Sequence, residues 1–206
     1  MASLFDTLQA GASRSQIRLN SDDAKKWFRK SVKALGKVSP QKVLKDEALS
    51  KATVADLGKA TAVGSMYMYF YDPKHKATLP YYDKFPLTIV VGAAPGGFYG
   101  LNLHYLSPVV RARFLDKLMT LSPGPKMSDT SRLKKLRYEL LASTAKYKEF
   151  EPCYRHYLMP KVKTNLVRVP MTDWEIAIFL PTEQFVKVSK ESVWRYSRKQ
   201  YAGKSK

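Results

Sequence analysis

Three histidines, one cysteine and a thin scatter of carboxylates are the side chains here that could do chemistry, and their spacing argues against most of it. His75, His104 and His156 stand far apart, and none is spaced to share a metal ion with another on one helix or hairpin. Cys153 is the single cysteine, which excludes an intrachain disulfide and a cysteine-rich zinc site and fits a reducing compartment or a particle assembled in one. Metal-dependent nucleases need clustered carboxylates, often with a lysine two residues beyond an acid. Asp72-Pro73-Lys74 has that spacing, but the proline reads as a turn and no second carboxylate lies close in sequence. Asp22, Asp23, Asp173 and Glu175 read as helix-start residues. GAAPGG, residues 92–97, lacks the Lys-Ser/Thr of a phosphate loop and opens no helix, so it reads as a hairpin turn. With no nucleophile elbow or dinucleotide fingerprint, the expectation is a protein that is not an enzyme and takes no cofactor or metal.

Charge is the stronger signal. The chain has 36 Lys+Arg against 17 Asp+Glu, a formal net charge of +19. Such an excess costs self-repulsion in the compact state and persists beside a polyanion: nucleic acid, an acidic protein surface or an anionic membrane. Lys25, Lys26, Arg29, Lys30 and Lys33 recur along one predicted helix; Arg132, Lys134, Lys135 and Arg137 mark another; Arg195, Arg198 and Lys199 crowd the C-terminus. In YDPKHK, the group Lys74, His75 and Lys76 sits on a turn where an anion could be held. Taken together these clusters favour phosphate contact, which is sequence-independent and salt-sensitive. Tyr81, Tyr82 and Tyr99 are candidates for stacking on unpaired bases at a DNA end, while most other tyrosines fall at strand spacing and are assigned to the sheet.

The elements that would position these groups follow from periodicity. Residues 66–106 concentrate aromatic, β-branched, Gly and Pro residues. MYMYFY alternates Met66, Met68 and Phe70 against Tyr67, Tyr69 and Tyr71; FPLTIVV is a second strand; and residues 98–106 return after the glycine turn as a third. Leu166–Val169 adds another. The expected fold is therefore α+β: a small twisted antiparallel sheet, or a partly closed barrel, decorated by helices. Helices are predicted from Asn20 or Ser21 to Gly36, from Pro40 to about residue 49, from Pro108 to Leu121, over 130–146, over 152–158, from a Thr172–Glu175 capping box, and from Ser189 to about Lys199. Residues 2–20 read as an arm that orders only against something else, and residues 50–65 as a linker. The division is a basic helical arm and linker at 1–64, a core domain at 65–199 and a basic tail at 200–206. A hydrophobic content of 45% over 206 residues suffices for a core, and no apolar run suggests an export signal or a membrane span.

Three segments together carry a family likeness: MYMYFYDPKHKATLPYYDKFPLTIVV, GGFYGLNLHYLSPVVRARFLDKL, and WEIAIFLPTEQF with SVWRYSRK. Over about residues 66–199 the chain resembles the DNA end protector, or head-completion, virion proteins of T-even-like contractile-tailed bacteriophages. Residues 1–60 share little beyond the basic WFRK helix. The resemblance implies a late virion component, made in the host bacterial cytoplasm and added to the filled head near the portal. There it would bind double-stranded DNA ends without catalysis, contact portal, neck or tail proteins, and have no membrane partner; an oligomer within the particle is compatible with that role. Carried over residue by residue, its functional positions would be Lys74, His75, Lys76, Arg198 and Lys199. The competing expectation is a neck, tail or baseplate subunit whose basic arms dock acidic proteins.

Overall fold

The computed structural model describes residues 3–18, 21–44, 50–52, 62–120 and 148–202. Its centre is a six-stranded antiparallel sheet formed by β1 (Ser50–Ala52), β2 (Met66–Met68), β4 (Leu87–Ala94), β5 (Gly97–Asn102), β6 (Tyr154–Leu158) and β7 (Leu166–Val169), in the order β1-β7-β2-β4-β5-β6. A separate two-stranded ribbon pairs β3 (Tyr82–Asp83) with β8 (Phe185–Val186). The fold is α+β with an open sheet and no closed barrel among the described residues.

The Met/Tyr alternation of β2 explains why both sheet faces are buried. Met66 and Met68 join Leu87, Ile89, Leu101, Val167 and Val169 in the main core. Tyr67, Tyr69 and Tyr71 turn the other way, into a second core with Val90, Phe98 and Tyr157. That second core is built from aromatic edges meeting faces: Tyr69 and Tyr157 lie 5.6 Å apart at 88°, and Tyr71 and Tyr157 lie 4.9 Å apart at 81°. Burial pushes the Tyr69 and Tyr157 hydroxyls well above their ordinary range, so both stay neutral.

Helices cover the main core. α1 (Leu4–Arg14) starts with a capping box in which the Asp6 N–H donates to Ser3 Oγ at 2.9 Å and the Ser3 N–H donates to the Asp6 carboxylate at 3.1 Å. α2 (Asp22–Leu35) is capped by Ser21 and stopped by Gly36 at φ +73°, a conformation that favours glycine. Then come α3 (Pro40–Leu44), α4 (Pro108–Thr120), the single turn α5 (Trp174–Ala177) and α6 (Lys190–Ala202). Phe5, Leu8, Phe28, Val32, Phe114 and Ile176 enter the same buried cluster as the sheet's Met66 and Leu87. Residues 4–14 therefore find their apolar partner within this chain, rather than waiting for another molecule to order them.

Three other expectations change. Residues 154–158 are β6, not part of a helix: Tyr157 faces the second core, Tyr154 and His156 are exposed, and backbone pairing with β5 decides the conformation. Part of the expected linker is β1, which pairs with β7. The Thr172–Glu175 capping box does not form: the N-cap of α5 is Asp173, without a side-chain cap bond, and Glu175 is buried. The predicted helix over 130–146 lies outside the described residues.

The hairpin of β4 and β5 turns through Pro95-Gly96, with Gly96 at φ +67°. Next to it, Gly97 packs so closely on β6 that a Cβ there would stand 1.8 Å from the Tyr157 carbonyl oxygen.

Candidate nucleic-acid interface

Asp72, Pro73 and Lys76 shape the turn that the charge pattern singled out. Lys76 Nζ donates to Asp72 at 3.0 Å, and this contact holds the Asp72 carboxyl below its ordinary range. The N–H groups of Thr78 and Leu79 donate to the His75 carbonyl, at 3.1 and 3.0 Å. From the far side Lys187 Nζ donates to the carbonyls of Ala77 and Leu79, at 2.8 and 2.6 Å, tying the turn to the end of β8. Lys74 and His75 are thereby held exposed on a braced turn.

These two residues border a cleft of about 630 Å³. β6 contributes Arg155 and His156 to its wall, and α6 contributes Gln200. Buried Tyr82, Tyr105 and Tyr157 form its deeper part, with half-buried Tyr81 nearer the surface. A shallower groove continues over Tyr81 to Tyr196 and Lys199 of α6, where the Tyr81 and Tyr196 rings stack 6.0 Å apart at 21°. Cationic groups and aromatic rings thus share one concavity, the pairing that single-stranded nucleic acid needs for its phosphates and bases.

The electrostatics suit an anion. The Arg155 guanidinium lies 4.4 Å from the centroid of Tyr105. Burial pushes the Tyr105 hydroxyl up to about 12 despite the opposing pull of Arg155, and burial raises Tyr81 as well. At neutral pH the phenols add no negative charge. Among the described residues Asp83 is the one carboxylate in the wall, and it is engaged by the Phe85 N–H at 3.0 Å, the Gln184 N–H at 3.1 Å, Asn102 Nδ2 at 3.1 Å and His104 Nδ1 at 2.7 Å.

An aspartate bonded to a histidine invites comparison with hydrolase catalysis, but the geometry assigns this pair to the fold. The His104 side chain is 0% exposed and Asp83 1% exposed, and His104 Nε2 meets Thr182 Oγ1 at 3.3 Å. The His104 carbonyl accepts from Trp194 Nε1 at 2.9 Å and from Arg111 at 3.3 Å. Buried Arg111 also donates to the carbonyls of Leu106 and Ile178. This network joins β3, the end of β5, α4 and α6 behind the cleft. Cys153 is equally enclosed, and burial pushes its thiol up to about 12, so it is inert at neutral pH.

The predicted cations divide. Lys74 and His75 lie in the cleft, and Lys199 lies in the adjoining groove. Arg195 and Arg198 are exposed on α6. Lys26 and Lys30 are exposed on α2, which does not line the cleft; Lys26 stands 3.7 Å from Asp23, and Arg29 packs over the Phe179 ring at 5.0 Å. Lys76 serves the turn. Lys25 is buried against Asp116, with Asp22 at 3.4 Å, and its charge serves the fold. Arg132, Lys134 and Lys135 lie outside the described residues. Of the tyrosines, Tyr81 and Tyr82 reach the cleft, while Tyr99 stacks on Tyr154 at 5.2 Å and 17°, outside its lining. Sequence reasoning missed Arg155, His156 and Tyr105. The signal for the first two was the period-two pattern of YRHYL.

Glu175 supplies a pH prediction. Its carboxylate is buried without a hydrogen-bond partner among the described residues, and burial pushes its pKa up to about 7 against the pull of Lys25, with Asp116 and Asp22 adding to the rise. The folded pKa exceeds the ordinary 4.5, so the folded state holds the extra proton between those values and stability falls as pH rises through that window. The loss should be on the order of 1–3 kcal/mol. Chemical denaturation at pH 5 and pH 8 is expected to show it, and Glu175→Gln should flatten the difference.

The comparison with protein families places this chain among phage structural proteins that protect DNA ends. The matching family is described as the Phage T4 terminal DNA protecting protein; the match spans residues 14–203, and the chain belongs to that family. No curated protein and no solved structure matches it.

Proposed function

We propose that this protein is a non-enzymatic virion component that binds the ends of packaged phage DNA, shields them from exonuclease and completes the head at its neck. Lys74, His75, Arg155 and the cations of α6 contact terminal phosphates, and the exposed lysines of α2 add non-specific attraction. The cleft that joins cationic groups to neutral tyrosines carries this reading, and family membership supports it. Portal or neck proteins are the partners, reached while the DNA terminus lies at the head's exit.

Competition binding tests the reading. Linear duplex should displace a labelled linear fragment better than a covalently closed circle of the same sequence, because the circle presents no end. Affinity should fall steeply with salt, and the triple variant Lys74→Gln, Arg198→Gln, Lys199→Gln should reduce the slope of log K against log salt by about 3. Equal competition by circle and linear DNA would reject end recognition. Failure to bind either, with retention on an acidic neck protein, would favour the subunit whose basic surface docks proteins.

A further inference from the structure

Resting on the reading that the protein binds DNA ends, we propose that the cleft between the 72–79 turn, β6 and α6 captures one unpaired nucleotide at the DNA terminus. Its base enters among the tyrosines and its phosphate lies on the cationic border. Non-specific attraction to duplex requires only exposed lysines, so a concavity of this chemistry calls for a further explanation.

Size is the first argument. A volume of about 630 Å³ falls in the range of sites that enclose a small molecule. A volume of this size has room for one nucleotide.

Chemistry is the second. The lining joins the ring walls of Tyr71, Tyr81 and Tyr105 to Lys74, His75 and Arg155, and the phenols of all three tyrosines are held above their ordinary range by burial. Neutral rings stack on any base, which suits a protein that must accept whatever sequence a genome end presents. The Asp83 carboxylate is buried and bonded to four donors within the fold, so it does not compete with a phosphate for Lys74, His75 or Arg155.

The third argument is Arg155 itself. Its guanidinium lines the cleft, held over the Tyr105 ring at 4.4 Å beside the floor that the base would meet. A fixed guanidinium at that border offers charge-assisted hydrogen bonds to the phosphate of a nucleotide whose base lies among the rings. Opening a paired terminus costs energy that an already unpaired base does not require, so ends with a short overhang should bind better than blunt ends.

Photocrosslinking tests this on the unmodified protein. A hairpin-closed duplex with one open end carries 5-iododeoxyuridine as a one-nucleotide overhang, or at an internal position as control. The expected result is an adduct from the overhang on the tryptic peptides containing Tyr71, Tyr81 or Tyr105, absent for the internal label. Affinity for the one-nucleotide overhang should exceed that for the blunt end by roughly tenfold, a ratio that stacking of one base accounts for. Arg155→Gln should bring the ratio toward one in a protein whose melting temperature and circular dichroism match the parent. Adducts confined to the α2 peptides, with equal affinity for overhang and blunt ends, would overturn the nucleotide site and leave end binding intact. Equal affinity for ends and closed circles would reject end binding as well.

Discussion

Alanine at position 83 is expected to destabilise the protein by about 3–5 kcal/mol, a large share of the total stability of a domain this size. The substitution removes the acceptor for two backbone N–H groups, the Asn102 amide and the His104 ring; the Phe85 N–H, the Asn102 amide and the His104 ring are buried, and the Gln184 N–H is half-buried. An unanswered buried donor costs more than the bond contributed, because water cannot replace the lost partner. Burial alone would raise the Asp83 pKa; the nearby His104, with the bonds from Asn102 and Phe85, outweighs it and holds the carboxyl below its ordinary range. A depressed carboxyl contributes stability that is fully present above its unfolded pKa and is lost as pH falls through its folded pKa. Wild-type protein should therefore lose stability in acid below about pH 4, and Asp83→Asn, already destabilised at neutral pH, should lose less over the same interval. Urea titration followed by tryptophan fluorescence at pH 7 and pH 3 measures both effects. Insensitivity to the alanine change would mean that the network is not closed as described.

Gly97→Ala should be nearly as damaging, for a different reason. The added Cβ would meet the Tyr157 carbonyl oxygen at 1.8 Å and the Leu158 Cα at 3.0 Å, and these are backbone atoms that no rotamer change can move aside. Relief requires separating β5 from β6, at a cost of about 3 kcal/mol or more, beyond the usual range for overpacking by one methyl. β6 also carries Arg155 and His156 into the cleft. The substitution should therefore weaken DNA-end binding more than its residual folded fraction explains, whereas Gly92→Ala, with open space around the added carbon, should leave both fold and binding near wild type. Hydrogen exchange of the β5 and β6 amides would distinguish strand separation from general unfolding.

Local grammar was legible in the sequence because it rests on neighbours in the chain. The Ser21 cap, the Pro108 helix start, the glycine hairpin and the Met/Tyr alternation of β2 all depend on residues a few positions apart. What could not be read depends on distant partners. Lys25 looks like its surface neighbours until Asp116, 91 positions away, is brought against it. His104 and Asp83 are 21 residues apart and meet only once the β3–β8 ribbon packs on the end of β5. YRHYL is short enough to suit either helix or strand, and pairing with β5 decides the matter. The same effect divides the candidate site. Its turn, Lys74 and His75, was visible as a charge cluster, while its opposite wall required the register of a strand that local pattern misassigned.

That division also explains how a chain with few candidates for chemistry still builds a specific concavity. The tyrosines suggested by composition are only partly sheet filling: Tyr81, Tyr82 and Tyr105 line the cleft, whereas Tyr67 and Tyr69 fill the second core. On the proposed reading, net charge would draw in a polyanion from a distance, and the placement of rings beside cations would select which part of it is held.

If the cleft shields DNA ends, a nuclease protection assay will show it. Linear duplex is incubated with the protein, challenged with a processive exonuclease, and scored for full-length survivors over time. Lasting protection by the wild type is expected, with a marked loss in the double variant Lys74→Gln, Arg155→Gln at unchanged melting temperature. Equal protection by that variant, or by an unrelated basic protein of matched net charge, would rule out a role for the cleft in shielding ends.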